Sequence, residues 1–108
     1  MSYRFLSPAL LELSQAAEFY EGRVAGLGAD FLEEVDAAID RILQFPEAWG
    51  RLGRNYRRCS LRRFPYLIVY IIEPTKDILI VSVFHQSREP GTWRDNLQGP
   101  TNRRCRPG

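Results

Sequence analysis

Six arginines fall within residues 51–63: Arg51, Arg54, Arg57, Arg58, Arg62 and Arg63. No acid interrupts residues 48–72, so these charges are locally unopposed. Guanidinium forks match phosphate and carboxylate alike, and such a patch attracts phosphodiester backbones and acidic protein segments. Residues 56–63 alternate as a strand does, which puts Arg58, Ser60 and Arg62 on one side and Cys59 and Leu61 on the other. The cluster is either a binding surface or a charged rim that protects an exposed strand edge. A second group is His85-Gln86-Ser87-Arg88. Histidine titrates near neutrality, and an acid/base three residues from a phosphate-binding cation would suit proton transfer at a phosphate. The alternative is structural, with His85 hydrogen-bonding the turn that follows it. Ser87 has no paired base and is no candidate nucleophile. Trp49 and Trp93 suit anchors, for the loop before the cluster and for the C-terminal segment, and either ring has a face on which a nucleobase stacks. Cys59 and Cys105 lack metal-ligand spacing, and there is no P-loop or dinucleotide fingerprint. Neither a cofactor nor a metal is expected.

The elements that must position these residues follow from periodicity. Residues 3–6 read as a short strand. Ser7-Pro8 reads as an N-cap followed by proline in the first helical turn. Apolar residues at Leu10, Leu13, Ala17, Tyr20 and Val24 mark one face of a helix over 8–23. Gly26-Leu27-Gly28 breaks it, and a second helix over about 29–44 carries Phe31, Leu32, Val35, Ala38, Ile39, Ile42 and Leu43. Asp30, Glu33 and Glu34 complement the dipole of its first turns, and Phe45-Pro46 ends it. The short link implies an antiparallel helical hairpin. After a loop over 46–55 the period becomes strand-like: 56–63 alternates, 67–73 is continuously apolar and β-branched, and 78–84 returns after Pro74-Thr75-Lys76-Asp77. Residues 90–97 suit a short terminal helix. The order is β-α-α-β-β-β, an α+β two-layer domain with the hairpin packed on an antiparallel sheet. One domain over 1–98 and a disordered basic tail over 99–108 are expected.

A chain of 108 residues, 44% hydrophobic, can bury a core without disulfides or metals. Its longest apolar stretch, 67–72, is far short of the roughly 20 residues of a membrane span, and the N-terminus lacks a secretory pattern. A cytoplasmic protein without a membrane partner is expected. The net charge of +2 hides an asymmetry. Residues 1–50 hold three arginines against nine acids, and residues 51–108 hold twelve Lys/Arg against four. An acidic helical side and a basic working side follow.

Three stretches, in order, resemble one family. Ala16-Ala17-Glu18-Phe19-Tyr20, Gly26-Leu27-Gly28 and Asp30-Phe31-Leu32-Glu33-Glu34-Val35 look like the helical hairpin of ParE-type toxins. The run Leu61-Arg62-Arg63-Phe64-Pro65-Tyr66-Leu67-Ile68-Val69-Tyr70 and the run from Val83 through His85 and Arg88 to Trp93-Arg94 look like the strands that follow in the RelE/ParE superfamily. The resemblance spans about residues 3–97. It implies the toxin of a type II toxin–antitoxin system, of the plasmid-stabilisation kind, silenced by a cognate antitoxin from an adjacent reading frame and oligomeric by way of it. RelE-like members cut messenger RNA on the ribosome; ParE-like members poison DNA gyrase without hydrolysis. Arg58 falls where RelE-like enzymes carry a catalytic lysine. Ser60 falls at a second lysine, and Leu67 at a strand arginine. Arg88 matches a later arginine, and Trp93 stands nearest the terminal tyrosine. These departures and the long hairpin favour a ParE-like gyrase inhibitor, with Arg51, Arg54, Arg57, Arg58, Arg62, Arg63 and Trp93 as binding residues. The alternatives are a ribosome-dependent endoribonuclease using His85, Arg58 and Arg88, with Arg62 beside them, and a non-toxic member that only binds its antitoxin.

Overall fold

The computed structural model describes residues 2–87. The elements are β1 (Tyr3–Phe5), α1 (Ser7–Arg23), α2 (Leu27–Gln44), β2 (Arg51–Leu52), β3 (Tyr56–Ser60), β4 (Tyr66–Ile72) and β5 (Ile78–His85). Two helices pack on one face of a five-stranded sheet of order β1-β5-β4-β3-β2. The expected meander is present: β3–β4 and β4–β5 pair antiparallel. The sheet as a whole is mixed, because β1 pairs parallel with β5, Tyr3 opposite Ile78. The connection between these parallel strands runs through both helices and β2, β3 and β4, a crossover no hairpin turn could replace. The loop expected over 46–55 also contains a strand, with Arg51 opposite Arg57.

The expected starts of the helices shift by a few residues. Ser7 is the first residue of α1 rather than its cap; Leu6 stands at the cap with no side-chain bond, and Pro8 lies in the first turn. The helix α2 begins at Leu27, inside the expected break, because Glu21 supplies what the glycines lack. Its two carboxylate oxygens accept the N–H groups of Gly26 and Gly28, each at 2.9 Å, satisfying donors that a helix start leaves orphaned. Gly26 has φ +89, a conformation costly for other residues. A Cβ on Gly28 would lie 2.7 Å from the Ala17 carbonyl oxygen, so glycine lets the helices approach.

Burial follows the α2 pattern except at Leu32, which is 41% exposed. Phe31, Val35, Ala38, Ile39 and Ile42 are buried against Cys59, Ile68, Tyr70, Ile78, Ile80 and Val83. The α1 pattern needs correction at two positions: Leu10 and Val24 are 50% and 60% exposed, while Ala9 and Ala16 are buried. Small residues on that face seat α1 low on the sheet, with Leu13, Ala17 and Tyr20 packing from the sides. The opposite sheet face carries a second apolar cluster, with Val69, Leu79, Val81 and Phe84 buried and Leu67, Ile71, Tyr56 and Leu52 packed around them. Two apolar faces explain why β4 and β5 read as unbroken hydrophobic runs. Opposite Val69/Tyr70 the register shifts, so Val81 is an extra residue between Ile80 and Ser82. Glu12 of α1 reaches this bulge. Its carboxylate accepts the Ser82 hydroxyl at 2.8 Å and the Val83 N–H at 3.0 Å.

The expected strand over 56–63 ends early, at Ser60. Leu61 N–H returns to the Tyr66 carbonyl and Tyr66 N–H to that of Phe64, which folds 61–66 into a tight turn. Glu34 of α2 stabilises it, one carboxylate oxygen accepting the N–H groups of both Arg62 and Arg63 at 3.1 and 3.2 Å.

Candidate anion-binding cleft

The arginines are sorted by strand register. Arg58 opposes Val69 and Ser60 opposes Leu67. Val69 and Leu67 belong to the cluster on the face away from the helices, so Arg58 and Ser60 point to that face as well. Arg57 opposes Tyr70, on the helical face. Beyond β2 the outer edge of β3 is open, and there α2 contributes Arg41, whose guanidinium donates to the Ser60 carbonyl at 3.2 Å. The result is a cleft of about 570 Å³ lined by Arg41, Trp49, Gly50, Arg58, Ser60, Arg62, Leu67 and Gln86.

Its wall is fixed by hydrogen bonds. The Arg57 guanidinium donates to the carbonyls of Glu47 and Trp49, both at 2.9 Å. The Trp49 indole N–H donates to the Arg41 carbonyl at 3.3 Å. Arg58 N–H donates to the Gly50 carbonyl at 2.9 Å. The Tyr70 hydroxyl donates to the Pro46 carbonyl at 2.6 Å. Burial pushes the Tyr70 phenol far above its ordinary range, so it stays a neutral donor. A stretch that reads as a loop is therefore held from three elements, which keeps the arginines of the cleft in place.

Among the described residues the cleft is lined by three cations and no carboxylate. Arg58 and Arg62 are exposed, and their guanidinium groups are in no ion pair among the described residues. Beneath them Cys59 is buried. Desolvation raises its pKa and outweighs the opposing effect of Arg41 and Arg62, so the thiol stays protonated and unreactive. No described lining residue is a His, Asp, Glu, Lys or Tyr. Such a site can bind an oxyanion bidentately, and none of its described side chains is suited to moving a proton.

Of the six clustered arginines, Arg58 and Arg62 line this cleft. Arg57 clamps the loop. Arg51 donates to the Arg54 carbonyl at 2.8 Å, and both line a separate cleft with Glu47, Tyr56, Ile71 and Glu73. Arg63 turns back over Phe64 toward Asp30. His85 lies elsewhere: it opposes Tyr66 and stacks edge-on against it at 5.3 Å, and Tyr66 packs on Phe31 of the helical face. Its Nδ1 accepts the Ser87 N–H at 3.0 Å, so the neutral ring carries its proton on Nε2, and the Ser87 hydroxyl lies 2.8 Å from the same nitrogen, which corrects the expectation that Ser87 has no base beside it. The turn-bonding role matches this geometry. Arg88 and Trp93, with the expected terminal helix and tail, lie outside the described residues. Arg41 was missed because the sole cation of α2, standing near its C-terminus, reads as a dipole complement. Among the described residues no group of His, Cys, Asp and Glu is placed to hold a metal ion. No described helix is long and apolar enough to cross a membrane.

No curated protein matches the chain significantly. Two solved structures share the fold. The chromosomal ParDE toxin–antitoxin system of P. aeruginosa superposes with a TM-score of 0.57 at 19% identity, over 79% of this chain and 95% of that one. The isolated E. coli RelE toxin superposes with a TM-score of 0.59 at 19% identity, over 89% of this chain and 94% of that one. The family model for the ParE toxin of the type II toxin–antitoxin system parDE matches residues 3–90, and the chain belongs to that family.

Proposed function

We propose that this toxin acts by occupying its target rather than by cutting RNA, that the target is DNA gyrase, and that an antitoxin encoded beside it silences it in a joint oligomer. One observation carries the reading: no described side chain lining the arginine cleft is suited to act as acid or base, and His85 packs against Tyr66 instead. Attack of a ribose 2′-hydroxyl needs a base for its proton and an acid for the leaving oxygen. Cations alone stabilise charge without transferring protons. The cleft offers the second without the first, which suits an inhibitor that grips a polyanionic target.

The test pairs two assays on the purified chain. Inhibition of gyrase supercoiling is expected, unchanged in His85→Ala and weakened in Arg58→Ala. Codon-proximal cleavage of messenger RNA in ribosome extracts is not expected. Cleavage that disappears in His85→Ala would overturn the proposal in favour of the nuclease.

A further inference from the structure

We infer that the Arg41–Arg58–Arg62 cleft binds the phosphodiester backbone of DNA directly, so that the toxin contacts the nucleic acid its target carries. This rests on the reading of the chain as an inhibitor of a DNA-bound enzyme. Converging guanidinium groups suit any oxyanion, and the rest of the lining favours a phosphodiester over an acidic peptide. Guanidinium groups converge on the cleft from three places: a helix, a strand and a turn. Each can present paired donors to non-bridging oxygens. The Ser60 hydroxyl and the Gln86 amide stand beside them with no partner of their own among the described residues, adding neutral donors for an anion with several acceptor oxygens. The lining is also poor in the apolar anchors that peptide recognition depends on. Among the described lining residues only Trp49 and Leu67 are apolar, and the Trp49 indole is tied to the Arg41 carbonyl. The edge of β3 is open here and no acid interrupts residues 48–72; Glu34, which accepts the Arg62 and Arg63 N–H groups, is not among the described residues that line the cleft.

Positioning in the cleft is built in. Glu34 fixes the backbone at Arg62 and Arg63 and thereby separates them: Arg62 enters the cleft and Arg63 turns to Asp30. Arg41 is held by the Ser60 carbonyl. The arginines are thus partly ordered before the ligand arrives, which lowers the entropic cost of binding.

The experiment measures fluorescence anisotropy of a labelled DNA duplex with the full chain over a salt series, without gyrase. Each phosphate neutralised contributes about 0.9 to the slope of log K against log salt. Arg58→Gln and Arg62→Gln, which keep most of the side-chain stem, are expected to lower that slope by about one each and to weaken binding several-fold at fixed salt. Arg54→Gln, an equal loss of charge outside the cleft, is expected to change little, and unshifted melting temperatures establish that the variants fold. Absence of duplex binding overturns the inference. So does an Arg54→Gln effect as large as that of Arg58→Gln, which would mean diffuse charge, or a polyglutamate peptide of matched charge that binds as tightly as the duplex. An RNA duplex bound clearly more tightly than DNA would overturn the assignment to DNA. Gyrase inhibition without DNA affinity removes this inference and leaves the proposed function standing; DNA affinity without gyrase inhibition does the reverse.

Discussion

A single hydrogen bond decides the fate of His85. With Nδ1 accepting the Ser87 N–H at 3.0 Å and the ring against Tyr66, the imidazole serves the strand end rather than the arginine cleft. His85→Ala is therefore expected to leave growth inhibition within about twofold of wild type, where loss of a general acid or base costs roughly 10²–10⁴-fold. Induced expression in the absence of antitoxin measures it, and full detoxification would refute this placement. Tyr70 gives a second residue-scale outcome. Its phenol is held neutral in the fold, while in the unfolded chain it ionises around its ordinary 10.0. The unfolded state thus loses its proton first, and stability falls as pH rises above about 10. In melting curves at pH 9 to 11, Tyr70→Phe should flatten that decline. It should also lower stability at neutral pH by about 1–3 kcal/mol, because the Pro46 carbonyl loses its 2.6 Å donor. An alkaline slope identical to wild type would show that other groups carry it.

At the scale of elements, α2 is the part most legible in sequence and most costly to disturb. Phe31, Val35, Ile39 and Ile42 recur at helical spacing, and all are buried. A large side chain so placed contributes about 1.5–3 kcal/mol, and Val35→Asp would add an unpaired buried charge to that loss. No soluble, cooperatively melting protein is expected from this variant; obtaining one would contradict the packing. The first helix was less legible because its buried positions include Ala9 and Ala16, which carry too little hydrophobicity to outweigh the exposed Leu10, Leu11 and Phe19. The parallel pairing of β1 with β5 was invisible because three residues leave almost no pattern, and only the crossover sets their partner. The cleft was half legible for a related reason. Alternation along β3 put Arg58 and Ser60 together, whereas Arg41 and Gln86 come from remote elements that meet only once the sheet has formed. The six-arginine cluster looked like one patch because sequence proximity hides register: Arg57 faces the helices, and Arg51 and Arg54 line a different cleft.

At the scale of the molecule, charge and apolar surface are separated, and that shapes the encounter with an antitoxin. The first fifty residues hold three arginines against nine acids, and the rest of the chain is basic. The described surface also exposes Leu10, Leu11, Phe19, Val24, Leu32 and Phe45 on or beside the helices. A partner that silences the toxin would meet both features, with acidic residues toward the arginines and apolar anchors over the helical side. Exposed charges steer encounter and are screened within about 8 Å at physiological salt. Buried apolar contacts mainly set how slowly a complex comes apart. Raising salt from 0.05 to 0.5 M should therefore slow association of the toxin with the product of the adjacent reading frame about tenfold or more, while the dissociation rate changes by less than about threefold. Stopped-flow and displacement kinetics measure the two separately. Phe19→Ser on the helical side should speed dissociation without altering the salt dependence of association, and Arg58→Gln should do the opposite. If the salt effect falls on dissociation instead, the ion pairs themselves hold the complex, and the apolar helical surface serves another contact.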